Sequence, residues 1–227
     1  MAEVAAEAPS VTLYGIAQST YVRTARMVLE EKGVTYAFQQ VRPGSPDSRE
    51  LHPFARVPVL RHGELVLFET AAIASYVDET FPGLTLQPPD PPSRAQMWKW
   101  ISIVNGYMDP ITTRGVIVER LSALAMGQRP DEAAIRAALP VVDRQLSVLE
   151  AELAGRTFLS GGTVTLADLF VYPIIYYIGC LPEARSLLGG REAIGHWRAR
   201  IERRPCVAAT APQPPKMGST PRRAPIR

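Results

Sequence analysis

Cysteine and long apolar runs are both scarce in this sequence of 227 residues. With only Cys180 and Cys206, neither a disulfide framework nor a cysteine-rich metal site can form, and a reducing, cytoplasmic setting is favoured. The longest apolar stretch, 166–181, contains Asp168 and Pro173 and is shorter than the roughly 20 residues that span a bilayer. The first ten residues lack the basic start and apolar core of a secretory signal. The three histidines have no metal-ligand spacing. We therefore expect a cytoplasmic protein with no metal site and no membrane partner.

Proline and positive charge are unevenly distributed along the chain. Five of the 21 prolines lie between residues 82 and 92 and six lie from residue 205 onward, which predicts a linker at 83–92 and a disordered tail at 207–227. The formal net charge is +3, but the tail carries four basic residues and no acidic one, so residues 1–206 have a net charge of −1. The basic character belongs to the tail and predicts no nucleic-acid partner.

The chain changes periodicity at the proline-rich linker. Before it, within residues 10–82, strand-like segments and helical segments alternate and predict a β-α-β-α-β-β-α domain. The expected strands are 11–14, 34–41, 57–60 and 65–68, and the expected helices are 19–32, a short one within 42–53, and 70–80. After it, residues 93–206 show only helical periodicity, at 93–126, 131–154, 165–180 and 192–204. The fold class is therefore α/β followed by all-α, and we expect Pro110 and Pro173 to kink or break their helices.

Ser19 lies where the first strand gives way to the first helix. Backbone N–H groups and the helix dipole favour negative charge at such a junction, so the Ser19 hydroxyl could contact a bound anion. It could equally do no more than cap the helix. The residue pattern leaves both interpretations open.

Two further segments carry chemistry at strand ends. A cis bond between Val57 and Pro58 would leave the Val57 backbone free to pair with an extended peptide, whereas a trans proline at a sheet edge is the default. Thr70 is a good N-cap, and its hydroxyl and neighbouring amides could also receive a carboxylate. Glu69 beside it could meet an ammonium group. A carboxylate and an ammonium on one carbon describe the end of an α-amino acid.

These features together resemble the glutathione S-transferase family. The similarity runs from about Val11 to Pro205. It includes the strand Leu13-Tyr14-Gly15, the helix ending VLEEKG at 28–33, the stretch HPFARVP at 52–58 and the FET triplet at 68–70. The segment 160–168, SGGTVTLAD, resembles the family's capping box, with Thr165 as cap and Asp168 three residues on. The resemblance implies a thioredoxin-like domain followed by an all-helical one, a homodimer, and glutathione as co-substrate with no further cofactor.

The resemblance also implies a role for each motif residue. Ser19 would donate a hydrogen bond to the glutathione sulfur, as in the serine-type (theta, phi and tau) classes, and the thiolate would attack a hydrophobic electrophile. A free thiol has a pKa of about 8.5, which such a donor lowers. Val57 would pair with the cysteinyl part of glutathione, Pro58 would be cis, and Glu69 and Thr70 would hold the γ-glutamyl end.

The electrophile pocket would lie between the loop after the first strand and the first long helix of the second domain. The expected lining residues, which could equally be core or dimer interface, are Ala17, Gln18, Tyr107, Met108, Ile111, Thr112 and Arg114. If Ser19 is not the group that contacts the sulfur, Thr20, Tyr21 or a backbone amide would take that role.

The sequence departs from the family pattern around residues 43–56. Ala55 stands where the family usually has glycine, and Arg56 stands at the Lys or Gln position. Pro43 and Gly44 replace a His-Lys pair that helps to bind the glycyl carboxylate in the phi-like pattern, so the binding residue would be Arg56 or one of two other arginines, 42 and 49.

Other functions compatible with the fold remain open. The absence of an SSCxWR motif disfavours the zeta-type isomerase, and the absence of a cysteine near residue 19 disfavours thiol-transferase chemistry. The alternatives are a non-catalytic ligand-binding or interaction protein of the same fold, and a glutathione-dependent dehalogenase or etherase. The fold does not decide between them, because function depends on the site.

Overall fold

Four short strands form one mixed sheet in the first third of the chain. The computed structural model describes residues 10–212, apart from the side chains of residues 124 and 125. The strands are β1 (Val11–Gly15), β2 (Tyr36–Gln40), β3 (Val59–His62) and β4 (Leu65–Phe68), in the order β2-β1-β3-β4. Strand β1 is parallel to β2 and antiparallel to β3, which is antiparallel to β4. With helices α1 (Thr20–Glu31), α2 (Pro46–Leu51) and α3 (Thr70–Thr80), this arrangement confirms the predicted β-α-β-α-β-β-α order.

Helix α1 lies close against the end of strand β1. Val11 and Leu13 of the strand and Val22 of the helix are all buried in one core. A Cβ atom on Gly15 would come within 2.4 Å of the Val22 side chain, so this position requires glycine. The close approach explains the glycine that ends the first strand, and it brings the start of α1 directly behind the sheet.

A buried ion pair anchors the proline-rich linker to the first domain. The Lys32 Nζ atom lies 3.2 Å from Asp78 Oδ1 and also donates to the carbonyl of Leu84 at 3.0 Å. The Asp78 carboxylate accepts in turn from the backbone N–H groups of Leu86 and Gln87, at 2.9 and 3.2 Å. A buried pair is tolerated when further hydrogen bonds satisfy both charged groups, as they do here. The linker therefore follows a fixed path across the first domain.

The rest of the described chain is helical. Its elements are α4 (Pro91–Ile103), a π-helical segment (Val104–Val118), α5 (Glu119–Ala125), α6 (Glu132–Leu153), α7 (Leu166–Ile178), α8 (Ala184–Leu188), α9 (Glu192–Glu202) and α10 (Pro205–Ala209). Of the two outcomes expected at Pro110 and Pro173, a kink or a break, the break does not occur, since the chain stays helical through both prolines. The wider π-type turns around Pro110 are a known way for a helix to depart locally from its regular hydrogen bonding. No helix within residues 10–212 combines the length and apolarity needed to cross a bilayer.

Helix α7 begins with the predicted capping box and forms the centre of the helical domain. Thr165 is the N-cap, and Asp168 at the third helical position completes the box. The Asp168 carboxylate has no exposed surface and accepts four hydrogen bonds, from Leu159 N, Thr165 N, Thr165 Oγ1 and Trp197 Nε1, at 2.8–3.0 Å. Burial raises the pKa of the Asp168 carboxyl, and these donors oppose that effect. Asp168 thus joins the turn before α7, the helix itself and α9.

The end of the described chain is packed rather than loose. Val207 and Thr210 are buried, and the Thr210 hydroxyl donates to the carbonyl of Cys206 at 2.7 Å. Arg204 donates two hydrogen bonds to the carboxylate of Glu31 on α1, from Nε at 2.7 Å and from Nη2 at 2.6 Å. The expected start of the tail at residue 207 is therefore wrong. Helix α10 packs on α1, buries Val207 and ends in the hydrogen bond from Thr210. The remainder of the expected tail, 213–227, lies outside the described residues.

Candidate functional site

The strand register brings the three motif segments to one end of the sheet. Tyr14 of β1 pairs with Val59 of β3, and Val59 pairs with Phe68 of β4. The chain leaves β1 just after Tyr14, enters β3 at Val59 and leaves β4 after Phe68. The loop to Ser19, the Val57–Pro58 segment and the Glu69–Thr70 segment therefore all meet the sheet at this end.

Ser19 is the N-cap of α1. Its half-buried side chain accepts a hydrogen bond from the N–H of Val22 at 3.4 Å, which confirms the capping interpretation. A hydroxyl accepts and donates at the same time, and among the hydrogen bonds of residues 10–212 the Ser19 hydroxyl acts only as an acceptor. Its proton is consequently available to a ligand, so capping and ligand binding do not compete.

The Val57–Pro58 peptide bond is cis, as the resemblance implies. Pro58 is buried and Val57 is half-buried, at the entrance to β3. Across the described part of the chain, no backbone hydrogen bond uses the N–H or the C=O of Val57, which precedes the strand pairing that begins at Val59. The Val57 backbone is thus available to a peptide-like ligand.

Glu69 and Thr70 occupy the junction between β4 and α3. The N-cap of α3 is Glu69, so the prediction that Thr70 is the cap is wrong by one residue; Thr70 is the first helical residue and is buried. Glu69 has a φ of 69°, a left-handed conformation that costs roughly 1–2 kcal/mol for a residue with a side chain. This turn leaves the first N–H groups of α3 with no side-chain cap, and such groups bind carboxylates well.

The loop between α2 and β3 explains the departure at Ala55. Ala55 has a φ of 52°, in the left-handed region that glycine adopts at no steric cost, which accounts for the glycine that the family usually has there. Its N–H donates to the carbonyl of His52, and its carbonyl accepts from the N–H of Gly44, both at 2.9 Å. These bonds join the segment at 43–44 to the turn before Val57. Arg56 and the arginines at 42 and 49 are all exposed and take part in no ion pair among the described residues.

His52 connects this loop to Glu69, although the sequence indicated no role for it. Its side chain is only 2% exposed, and its Nδ1 accepts a hydrogen bond from the N–H of Phe54 at 3.0 Å. Its Nε2 lies 3.9 Å from Glu69 Oε1, and its ring packs on Phe68 with the ring centroids 4.7 Å apart. Because Nδ1 is the acceptor, the proton of the neutral ring is on Nε2 and faces the Glu69 carboxylate. In the sequence, only its position at the start of the HPFARVP stretch points to a place near the site.

The environment of His52 predicts a pH dependence of stability. Burial lowers the pKa of His52, with the Glu69 carboxylate opposing the shift, so the unfolded chain takes up this proton at a higher pH than the folded one. Its contribution to stability is therefore present above the unfolded pKa of about 6.5 and is lost as the pH falls through the lower folded value. His52→Asn keeps an acceptor for the Phe54 N–H and removes the titration. Urea denaturation at a series of pH values should show a shallower loss of unfolding free energy below pH ~6.5 for this variant than for the wild type.

A matched control is His196→Asn on α9, where the histidine is exposed. Because substitutions of exposed residues away from packed features cost little, this variant should keep an unfolding free energy within about 0.5 kcal/mol of the wild-type value. Parallel stability curves for the wild type and His52→Asn would contradict the assigned environment of His52.

The π-helical segment presents polar groups to the start of α1. The Tyr21 hydroxyl donates to Asn105 Oδ1 at 3.0 Å, and Arg114 Nε lies 2.8 Å from Asp109 Oδ2. The i,i+5 hydrogen bonding of a π-helix brings residues five apart onto one face, as it does for Asp109 and Arg114. Burial raises the pKa of Tyr21, and the carboxylates of Asp109 and Glu69 add to the shift. Tyr21 thus lies within electrostatic reach of both the π-helical segment and the Glu69 end of the site.

The residues predicted to line the electrophile pocket divide into two groups. Met108 and Thr112 are 1% exposed, and the Thr112 hydroxyl donates to Gln145 of α6 at 2.6 Å, so both side chains are used inside the helical domain. This placement argues against a pocket role for these two residues. Tyr107 is 64% exposed, Ile111 is half-buried, and the Arg114 side chain is half-exposed, so these three remain candidates together with the half-buried Ala17 and the exposed Gln18. Within residues 10–212, no group of three or more His, Cys, Asp or Glu side chains is arranged to hold a metal ion.

Comparison with known proteins agrees with this geometry. The family model for the glutathione S-transferase N-terminal domain matches residues 13–89, and the model for the C-terminal domain matches residues 112–205. A glutathione S-transferase of Hyoscyamus muticus is 30% identical over 200 residues, which cover 85% of this chain and 93% of the relative.

Two solved structures show the same fold. Glutathione S-transferase III in apo form has a TM-score of 0.82 at 30% identity. The matched region covers 92% of this chain and 99% of the chain in that structure. A theta-class glutathione S-transferase of Xanthomonas axonopodis pv. citri, solved with glutathione bound, has a TM-score of 0.80 at 29% identity, covering 89% of this chain and 97% of its own. The thioredoxin-like and all-helical domains, the cis bond before β3 and these matches together place the chain in the glutathione S-transferase family, enzymes that use glutathione as co-substrate.

Proposed function

We propose that this chain activates the thiol of glutathione at Ser19 and transfers the sulfur to an electrophile with an apolar body. The observation that carries the proposal is the register Tyr14–Val59–Phe68, because it gathers a hydroxyl at a helix N-terminus, an unpaired backbone segment and a second helix N-terminus at one end of the sheet. These groups match the sulfur, the peptide unit and the α-amino acid end of glutathione.

The glutathione backbone would be held by three sets of contacts. The first N–H groups of α3 and the Thr70 hydroxyl would bind the γ-glutamyl carboxylate, and the Glu69 carboxylate would meet the ammonium group. The N–H and C=O of Val57 would pair with the cysteinyl part in the manner of an added strand. Arg56, or the arginine at 42 or 49, would bind the glycyl carboxylate.

Ser19 would act by stabilising the thiolate and would accept no proton. The Ser19 hydroxyl, whose proton is not used in the helix cap, would donate to the sulfur, while the N-terminal end of α1 contributes its positive dipole. A hydrogen bond to a charged group is worth about 1.5–3 kcal/mol, which lowers a thiol pKa by about one to two units. The thiol proton leaves to solvent, the thiolate forms a carbon–sulfur bond, and the electrophile either releases its leaving group or accepts a proton after addition.

The electrophile would lie between the Ala17–Gln18 loop and the π-helical segment. Tyr107 and Ile111 offer apolar surface there, and Arg114 offers a charge already paired with Asp109. A homodimer and a cytoplasmic location belong to the same proposal. The side chain of Phe54, 71% exposed in the single chain, is available to a dimer interface.

Affinity for glutathione and turnover test the proposal in one preparation. The purified full-length protein should be retained on immobilised glutathione, elute with free glutathione, and conjugate it to a generic aryl halide. Glu69→Gln should weaken retention, whereas Glu79→Gln, an exposed residue on the last turn of α3, should not. Absence of binding at millimolar glutathione would overturn the proposal. Retention without turnover across aryl halides, alkyl halides, ethers and enones would favour the non-catalytic ligand-binding alternative.

A further inference from the structure

A tyrosine of the helical domain contacts the backbone immediately before Ser19. The Tyr177 hydroxyl, on α7, donates to the carbonyl oxygen of Gln18 at 2.7 Å, across 159 residues of sequence. Tyr177 is buried, and its hydroxyl makes no other hydrogen bond within the described chain. The contact therefore joins the two domains at the residue next to the proposed catalytic serine.

The bond fixes one of the two polar groups of the Gln18–Ser19 peptide unit. The other group, the N–H of Ser19, donates to the carbonyl of Ile16 at 3.1 Å within the same loop. Since a peptide unit is planar, holding its C=O from one side and its N–H from the other sets the orientation of the whole plane. That plane fixes the direction of the N–Cα bond of Ser19, and with the φ of −70° found there it sets where Cβ lies, while the capping contact with the Val22 N–H orients the hydroxyl.

The donor itself is held rigidly. Helix α7 is buried almost throughout, and the Tyr177 ring packs edge-on against Tyr176 with the centroids 5.3 Å apart. A second buried contact seats α1 on α7, where the Thr24 hydroxyl donates to the carbonyl of Leu169 at 3.1 Å. Burial raises the pKa of the Tyr177 hydroxyl, with Tyr176 and Cys180 adding to the shift and the nearby Arg23 opposing it. The hydroxyl accordingly keeps its proton and remains a donor throughout the working pH range.

We propose that Tyr177 is a positioning residue for catalysis, which holds the Gln18–Ser19 peptide so that the Ser19 hydroxyl is aimed at the glutathione sulfur. This inference rests on the proposed function of Ser19. The helical domain would then help to activate the thiol, in addition to lining the proposed electrophile site. Tyr177 is buried and acts through the backbone of residue 18.

Tyr177→Phe tests the inference, with Tyr176→Phe as matched control. The first variant removes the hydroxyl donor and keeps the ring, and the second removes a half-buried neighbouring hydroxyl that donates no hydrogen bond among the described residues. We expect Tyr177→Phe to lower kcat about fivefold at neutral pH, as the loss of one buried hydrogen bond implies, with KM for glutathione changed less than about twofold. The acidic limb of its kcat–pH profile should move to higher pH, because the thiolate is less well stabilised. Tyr176→Phe should match the wild type in both.

A double-mutant cycle with Ser19→Ala separates positioning from a general structural effect. If Tyr177 acts through the Ser19 hydroxyl, Tyr177→Phe will lower kcat in the wild type but not in the Ser19→Ala background. Equal fold losses in both backgrounds, or an unshifted pH profile, would overturn the inference and leave the proposed function intact. A wild type that neither binds glutathione nor turns it over would instead overturn the proposed function, and the inference with it.

Discussion

Ser19→Ala will lower kcat by roughly 10- to 100-fold and change KM for glutathione by less than about threefold. The variant loses a hydrogen bond to a charged sulfur, worth about 1.5–3 kcal/mol, and that energy converts to this range of rates. The γ-glutamyl contacts at α3 and the Val57 backbone do not involve Ser19, so ground-state binding is preserved. Steady-state kinetics with saturating aryl halide measures both quantities.

Loss of the helix cap has to be separated from loss of the catalytic hydrogen bond. Ser19→Ala removes the acceptor for the Val22 N–H, and a lost cap costs about 1 kcal/mol of stability. Asp90→Ala removes the comparable cap of α4, where Asp90 accepts from the N–H of Ser93 at 2.9 Å. Asp90→Ala should lose similar stability and keep its kcat. Undiminished turnover by Ser19→Ala would transfer the role to Thr20, Tyr21 or a backbone amide.

Asp168→Asn will lower the free energy of unfolding by about 3 kcal/mol or more. Each carboxylate oxygen of Asp168 accepts two hydrogen bonds, one oxygen from Leu159 N and Trp197 Nε1, the other from Thr165 N and Oγ1. An asparagine places an NH2 group against one of these pairs of donors, which leaves buried donors unpaired at about 1–3 kcal/mol each. Urea denaturation should show a lower midpoint with an unchanged m-value.

Asp143→Asn is the control for the loss of a negative charge. Asp143 pairs with Arg191 but its side chain is largely exposed, so the substitution should cost no more than about 1 kcal/mol. An Asp168→Asn variant as stable as Asp143→Asn would show that Asp168 does not hold the start of α7 in the way described.

The features that the sequence predicted correctly depend on neighbours in the chain. Strand–turn–helix junctions place Ser19 and Glu69 at helix N-termini, and Thr165 and Asp168 form a capping box within four residues. Short-range patterns of this kind set much of the local geometry with little help from distant residues. The sequence places the cap of α3 one residue too late, at Thr70, because it does not show that Glu69, a non-glycine residue, adopts a positive φ.

The features that the sequence missed depend on distant contacts or unusual local geometry. Tyr177 binds the backbone of Gln18, 159 residues away in the sequence, and no local sequence pattern predicts such a hydrogen bond. The sequence predicts an α-helical period for the segment around Met108 and Thr112, whereas its turns are of the wider π type. A change of period alters which side chains share a face, so pocket and core residues could not be separated by spacing alone.

The pKa of the thiol in the enzyme–glutathione complex shows directly whether Ser19 activates glutathione. Thiolate absorbs in the ultraviolet, so a pH titration of the wild-type complex, with the absorbance of free protein subtracted, gives this pKa without an electrophile present. We expect a value at least about one unit below the 8.5 of a free thiol in the wild-type complex, and a return toward 8.5 in Ser19→Ala. A thiol that titrates at or above 8.5 while bound to the wild-type protein would contradict it.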